Sequence, residues 1–135
     1  MKKIESYVKR WYDALEEGSI QATRCSKCGA VEFPPLPVCN DCGAHDMEWV
    51  DIEGGGTLIS VDDCTVPRWE QELGPVLSGF VELKEGTVFQ SFIVGVEDSE
   101  REGLFDRLPL KVRAEIQQRD GFKYPCFRLD DGQEA

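Results

Sequence analysis

The first apolar pattern in the chain is helical. Ile4, Tyr7, Val8, Trp11, Tyr12 and Leu15 fall at i, i+3, i+4, i+7, i+8 and i+11, one stripe on a helix predicted over 3–17. Gly18 stands where a C′ glycine ends such a helix. The stripe is rich in Tyr and Trp, which leaves two uses open. It packs on its own domain, or it docks on a partner protein with Trp11 as an anchor. From residue 19 the period shortens. A short strand is expected over 19–24, a return over 30–33, and an exit over 47–52. Gly54-Gly55-Gly56 then marks a flexible boundary, a hinge or the bulged start of a strand. A phosphate-cradling P-loop needs Gly-Lys-Ser/Thr, which is absent.

Beyond the glycines come five strand-like runs, at 57–65, 76–83, 87–96, 110–118 and 122–129. The stretch 98–108 is polar, with Leu104, Phe105 and Leu108 on one side of a helical turn. In 110–118, Leu110, Val112, Ala114 and Ile116 alternate with Lys111, Arg113, Glu115 and Gln117, the signature of a half-buried strand. Lys84-Glu85-Gly86 reads as one hairpin turn and Asp120-Gly121 as another. With a two-residue loop at Asp120-Gly121, facing residues sum to 241, so Arg113 lies opposite Arg128. Pro125 lacks an N–H and should place the last strand at a sheet edge.

Cys25-Ser26-Lys27-Cys28-Gly29 and Cys39-Asn40-Asp41-Cys42-Gly43 change this picture most. Each Cys-x-x-Cys turns the backbone so that both sulfurs converge, and the following glycine supplies positive φ. Four thiolates at this spacing suit a tetrahedral Zn²⁺ held by Cys25, Cys28, Cys39 and Cys42, as in rubredoxin-like ribbons. Iron fits the same donors. Two disulfides are the alternative use of the four residues. With the tetrahedral shell filled, His45 is expected at the surface, and Cys64 and Cys126 are expected as buried thiols. The fold class predicted is mainly β with an N-terminal helix: a rubredoxin-like zinc ribbon followed by a small five-stranded OB-like barrel. The expected segments are 1–18 (helix), 19–52 (ribbon), 53–130 (barrel) and 131–135 (frayed tail).

Charge narrows the partners. The net charge is −11, and residues 46–106 alone carry three positive and fifteen negative side chains, a net of −12. Non-specific nucleic-acid binding draws on Lys and Arg neutralising phosphates. A single-strand-binding ribbon and OB module is therefore the secondary reading, and no nucleic-acid partner is expected. No 18-residue apolar run or cleavage site occurs, so no membrane is expected and the location predicted is the reducing cytoplasm. No Ser/His/Asp set is present, and a metal with four protein ligands has no open position for water. No catalytic residue is expected.

The order of motifs resembles a known family. An aromatic helix precedes a ribbon with two Cys-x-x-Cys-Gly knuckles around Phe33-Pro34-Pro35. Gly54 to Thr57 then reads Gly-x-Gly-Thr. Further on come Pro75, Val81-Glu82-Leu83-Lys84-Glu85-Gly86 and Pro125-Cys126-Phe127-Arg128. This is similar to the zinc-ribbon plus OB-fold proteins catalogued as domain of unknown function family thirty-five. The resemblance implies a non-catalytic accessory subunit in a hetero-oligomer. Its partner would be a thiolase-fold enzyme (thiolase, thiolase-like synthase or aldolase), with the two sharing an acyl-CoA channel. Two positions depart from the family pattern. Leu36 stands where a basic residue usually follows the double proline, and Leu108-Pro109 stands where Ile-Gly is frequent.

Four further residues are candidates for acyl-CoA or partner contact. Trp11 is the helix anchor already named. Trp69 sits in a charged loop, folded over the barrel mouth or touching substrate. Arg113 and Arg128 would repel one another across the hairpin unless an anion lies between them. Glu115, Asp130 or Asp131 supplies it, or a phosphate of acyl-CoA does, with Lys111 or Lys123 nearby.

Overall fold

The computed structural model of the chain describes residues 2–62, 76–119 and 121–130. Helix α1 (Lys2–Glu16) comes first. Gly18, at φ +89°, ends it: the Gly18 N–H donates to Leu15 O at 3.0 Å and the Ser19 N–H to Ala14 O at 2.9 Å. This Schellman arrangement satisfies two of the last helical carbonyls.

Three strands follow as a small sheet, β1 (Ile20–Cys25) lying between β2 (Val31–Glu32) and β3 (Met47–Ile52). The run 47–52 is therefore not merely an exit from the ribbon. It pairs antiparallel with β1 from Ile20↔Ile52 to Cys25↔Met47, because the buried β1 has backbone donors and acceptors on both edges that need partners. Thr23, fully buried on β1, holds the proline-rich loop: its Oγ1 accepts from the Leu36 N–H at 3.0 Å and donates to Leu36 O at 2.9 Å. Leu36 thus contributes its backbone, while its side chain stays exposed.

The second half is a closed barrel of β4 (Gly55–Asp62), β5 (Val76–Leu83), β6 (Val88–Val94), β7 (Leu110–Gln118) and β8 (Lys123–Leu129), in the order β4-β5-β6-β8-β7. Every neighbouring pair is antiparallel except β6 and β8, which run parallel at Ile93↔Phe127 and Val94↔Arg128. Helix α2 (Asp98–Arg107) joins β6 to β7. Its Leu104 is fully buried, but Phe105 is 66% exposed, so the two do not share an inward face as the pattern suggested. The strand order, the parallel pair and the position of α2 make the barrel OB-like.

Closure corrects the reading of Pro125. β8 lies between β6 and β7 rather than at an edge. Pro125 is tolerated because its N and C=O point to the same side of the extended strand, toward β6. There the ladder begins only at Phe127, and the buried Ser91 Oγ donates to Pro125 O at 2.7 Å.

One core runs through all of this. Trp11 packs edge-on against Phe33 and Tyr124, with ring centroids 5.8 Å apart in each case. Phe33 in turn meets Phe89 at 4.6 Å, and Phe89 meets Phe127 at 6.3 Å. Helix, ribbon and barrel share this cluster together with Leu15, Leu58, Val81, Ile93 and Val112.

Of the hinge and the strand start left open for the glycine triplet, the structure shows the strand start, since β4 begins at Gly55 and the triplet is packed tightly. Gly54, at φ +85°, accepts the Ala114 N–H at 2.8 Å, and a Cβ at Gly54 would collide with the Cβ of Ala114. A Cβ on Gly56 would stand 2.7 Å from Glu82 O. Gly54→Ala is expected to cost about 2–5 kcal/mol, combining the left-handed backbone penalty with overpacking. The denaturant midpoint measures this. Adding Ala114→Gly should recover only the packing part; full recovery would show that the backbone conformation carries no cost.

Candidate metal centre and groove

The two knuckles are built alike. The Cys25 N–H donates to Ala30 O at 2.8 Å and Gly29 returns its N–H to Cys25 O at 2.9 Å. In the second knuckle Cys39 donates to Ala44 O and Gly43 to Cys39 O, both at 2.9 Å. Gly29 (φ +82°) and Gly43 (φ +78°) adopt the left-handed conformation these loops need. Strand β1 delivers Cys25 to the centre, and the loop stiffened by Pro34, Pro35 and Pro37 brings Cys39 opposite.

All four sulfurs lie within 4.8 Å of one another, with Cys25–Cys42 at 3.6 Å and Cys28–Cys39 at 3.5 Å. A tetrahedral ion with bonds of about 2.3 Å requires sulfur–sulfur edges of about 3.8 Å, so the donor set fits a Zn²⁺-sized tetrahedral ion. Cys25 and Cys39 are buried, whereas Cys28 and Cys42 face solvent. The N–H groups of Cys28 and Lys27 point at the Cys25 sulfur and bring its thiol down to about 7, against the opposing effect of burial. At Cys28 the Ala30 N–H also lowers the thiol, but the neighbouring Cys39 sulfur, burial and the other two sulfurs outweigh it and push the group up to about 12. Four thiolates this close repel one another, and a bound cation removes that repulsion.

His45 is exposed and is not among the grouped sulfurs. Cys126 is fully buried, and burial pushes its thiol up to about 12, which leaves it inert as a nucleophile. Cys64 and Trp69 lie outside the described residues. Trp11 is only 5% exposed. Of the two uses left open for it, packing at home is the one this burial favours, since Phe33 and Tyr124 enclose its ring.

Arg113 and Arg128 face each other as the turn register requires. The charge between them is internal: Arg128 Nε reaches Glu115 Oε2 at 2.5 Å, and Arg113 Nη2 lies 3.6 Å from Asp130 Oδ2. Arg128 also lies over Gly95, where a Cβ would collide with its guanidinium.

A groove of mixed charge adjoins Arg113. A cavity of about 710 Å³ crosses β4 at Gly55 and Gly56, with Lys84, Lys111 and Arg113 on its walls alongside Glu53, Glu82 and Asp130. Glu53 lies 3.3 Å from Lys84 Nζ. Lys84 escaped the sequence reading because it approaches Gly55 only through the β4–β5 pairing, which also directs the Lys84 N–H to Gly55 O at 3.1 Å.

Fold and site together define a four-cysteine rubredoxin-like ribbon joined to an OB-like barrel. Residues 13–48 match the family described as "ChsH2, rubredoxin-like zinc ribbon domain". The chain is 28% identical over 110 residues to the "Benzoylsuccinyl-CoA thiolase subunit BbsA" of Thauera aromatica, a match covering 82% of this chain and 74% of that one. It is 30% identical over 86 residues to a "Probable enoyl-CoA hydratase alpha subunit" of Thermomonospora curvata; that match covers 64% of this chain but spans only 27% of the relative's length. Among solved structures, a chain of the "Ltp2-ChsH2(DUF35) aldolase" superposes with a TM-score of 0.69 at 26% identity, covering 90% of this chain and 92% of that one. These matches support a zinc-ribbon plus DUF35 protein, the kind of protein the cysteine knuckles and the Gly-x-Gly start of the barrel resemble. Among the described residues no helix is long and apolar enough to cross a membrane.

Proposed function

We propose that the chain is a non-catalytic accessory subunit of a thiolase-like enzyme acting on acyl-CoA thioesters. Its ribbon would hold a structural Zn²⁺ and its barrel would wall part of the acyl-CoA channel. The observation that carries the reading is the near-complete overlap, in both chains, with a chain of the Ltp2-ChsH2 aldolase. The thiolase subunit BbsA, related over most of its length, supports it. Cys25, Cys28, Cys39 and Cys42 would bind the ion, which cross-links the two knuckles and supplies no activated water because protein sulfurs fill its shell.

The groove at Gly55 and Gly56 is the place in this acidic chain best suited to the phosphates of coenzyme A. Lys84, Lys111 and Arg113 line it, and a phosphate entering there would take Lys84 from Glu53 and Arg113 from Asp130. Arg128, held by Glu115, is the less available of the hairpin arginines. In the assembled complex, Lys84→Gln combined with Lys111→Gln is expected to raise KM for the acyl-CoA several-fold, with kcat and metal content unchanged. An unaltered KM would place the phosphates wholly on the partner subunit.

A further inference from the structure

The geometry points to the outer face of β4, β5 and β6 as the docking surface for the thiolase-fold subunit, an inference that rests on the accessory-subunit reading. Ile59, Phe80 and Val88 are 45%, 44% and 46% exposed. They come from three adjacent strands. Phe80 stands between Ser60 on β4 and Gln90 on β6, Ile59 occupies the bulge beside Ser60, and Val88 is paired with Glu82, two residues along the same face of β5. Strands alternate, so Leu77, Val81 and Leu83 face the core while Phe80 and Glu82 face outward.

Two observations identify the occupant. Thr57 and Glu82 belong both to this face and to the wall of the groove at Gly55 and Gly56, so a subunit seated here would close over the groove and share whatever it binds. The face also lies within the acidic part of the chain, where residues 46–106 have a net charge of −12, and Asp62 and Glu82 flank it. It therefore fits a partner surface that is apolar at its centre and basic at its rim. The aromatic side of α1 fits less well, because the rings lining its groove are packed on one another and on the core.

The test uses the whole purified chain and the purified thiolase-fold subunit of the same organism, with affinity measured calorimetrically. Phe80→Asp is expected to weaken association by at least about thirty-fold, the loss typical of a central anchor. Melting temperature and metal content should stay as in the wild type, since the side chain faces solvent. If Phe80→Asp misfolds, Val88→Asp carries the same expectation. Wild-type affinity in a folded Phe80→Asp or Val88→Asp variant overturns the proposal, as does loss of affinity in Val8→Asp on α1 with Phe80→Asp still binding. Sedimentation of the chain alone adds an independent outcome: a wild-type dimer that Phe80→Asp dissociates would make the occupant a second copy and overturn the assignment. If the wild-type chain forms no complex with the thiolase-fold subunit, the accessory-subunit reading falls, and the docking face with it.

Discussion

Cys39→Ser is expected to empty the ribbon of metal and to lower the melting temperature more than any other single change considered. Cys39 is buried, and its sulfur lies 3.5 Å from that of Cys28. Removing it leaves three converging thiols without a full tetrahedral shell. In small zinc modules the ion contributes on the order of 10–16 kcal/mol of apparent binding free energy, and one missing ligand forfeits a large part of it. The damage should spread beyond the ribbon, because Phe33, carried between the two knuckles, is a link between Trp11 and Phe89 in the common core. Elemental analysis should find about one ion per wild-type chain and almost none in the variant. An absorption spectrum separates the candidate ions, since d¹⁰ Zn²⁺ has no visible bands whereas an iron–thiolate centre does. A folded wild-type protein free of metal would refute the assignment.

Trp11→Ala should lower stability by about 3–5 kcal/mol, the cost of truncating a large buried aromatic. Its indole Nε1 has no hydrogen-bond partner among the described residues, so packing carries the loss. Helix α1 should loosen with it, although the stack of Tyr7 on Trp49 at 5.0 Å and the placement of Arg10 over the same ring at 4.4 Å tie it to β3 independently. Affinity for a thiolase-fold subunit, measured below the melting transition, should be unchanged. Reduced affinity at an unchanged melting point would show that the ring serves an interface after all. Trp11→Phe should be much milder, because it retains most of the apolar volume.

What was legible in the sequence was local. Short-range periodicity set α1, and Gly18 marked its end. The limits of β5 and β7 coincide with the strand-like runs at 76–83 and 110–118, the second marked by its alternation, since a pleated strand buries every second residue. The Asp120-Gly121 signal in the sequence foretold the β7–β8 register, including Arg113 opposite Arg128, because a hairpin of given loop length has one pairing. The cysteine spacing likewise determined by itself which four sulfurs would meet.

Tertiary structure decided what depends on contacts between distant segments. Whether Trp11 faced a partner or the core turned on Phe33 and Tyr124, which α1 does not encode. The glycine triplet resembles a hinge until Ala114, Glu82 and Lys84 arrive beside it from three positions along β5, β7 and the turn after β5. Pro125 suggests an edge strand only until β6 closes the barrel on a stretch where no ladder hydrogen bond is required. The like-charged arginine pair was foreseeable, but the choice of Glu115 and Asp130 as its counter-charges was made by side-chain geometry across the hairpin. The sequence by itself determined the four-cysteine centre and the five strands of the barrel, because both arise from residues a few positions apart; that 47–52 is a strand was decided by its pairing with β1. Barrel closure created the groove, which needs β7 beside β4, while the apolar face needed only the side-by-side pairing of β4, β5 and β6.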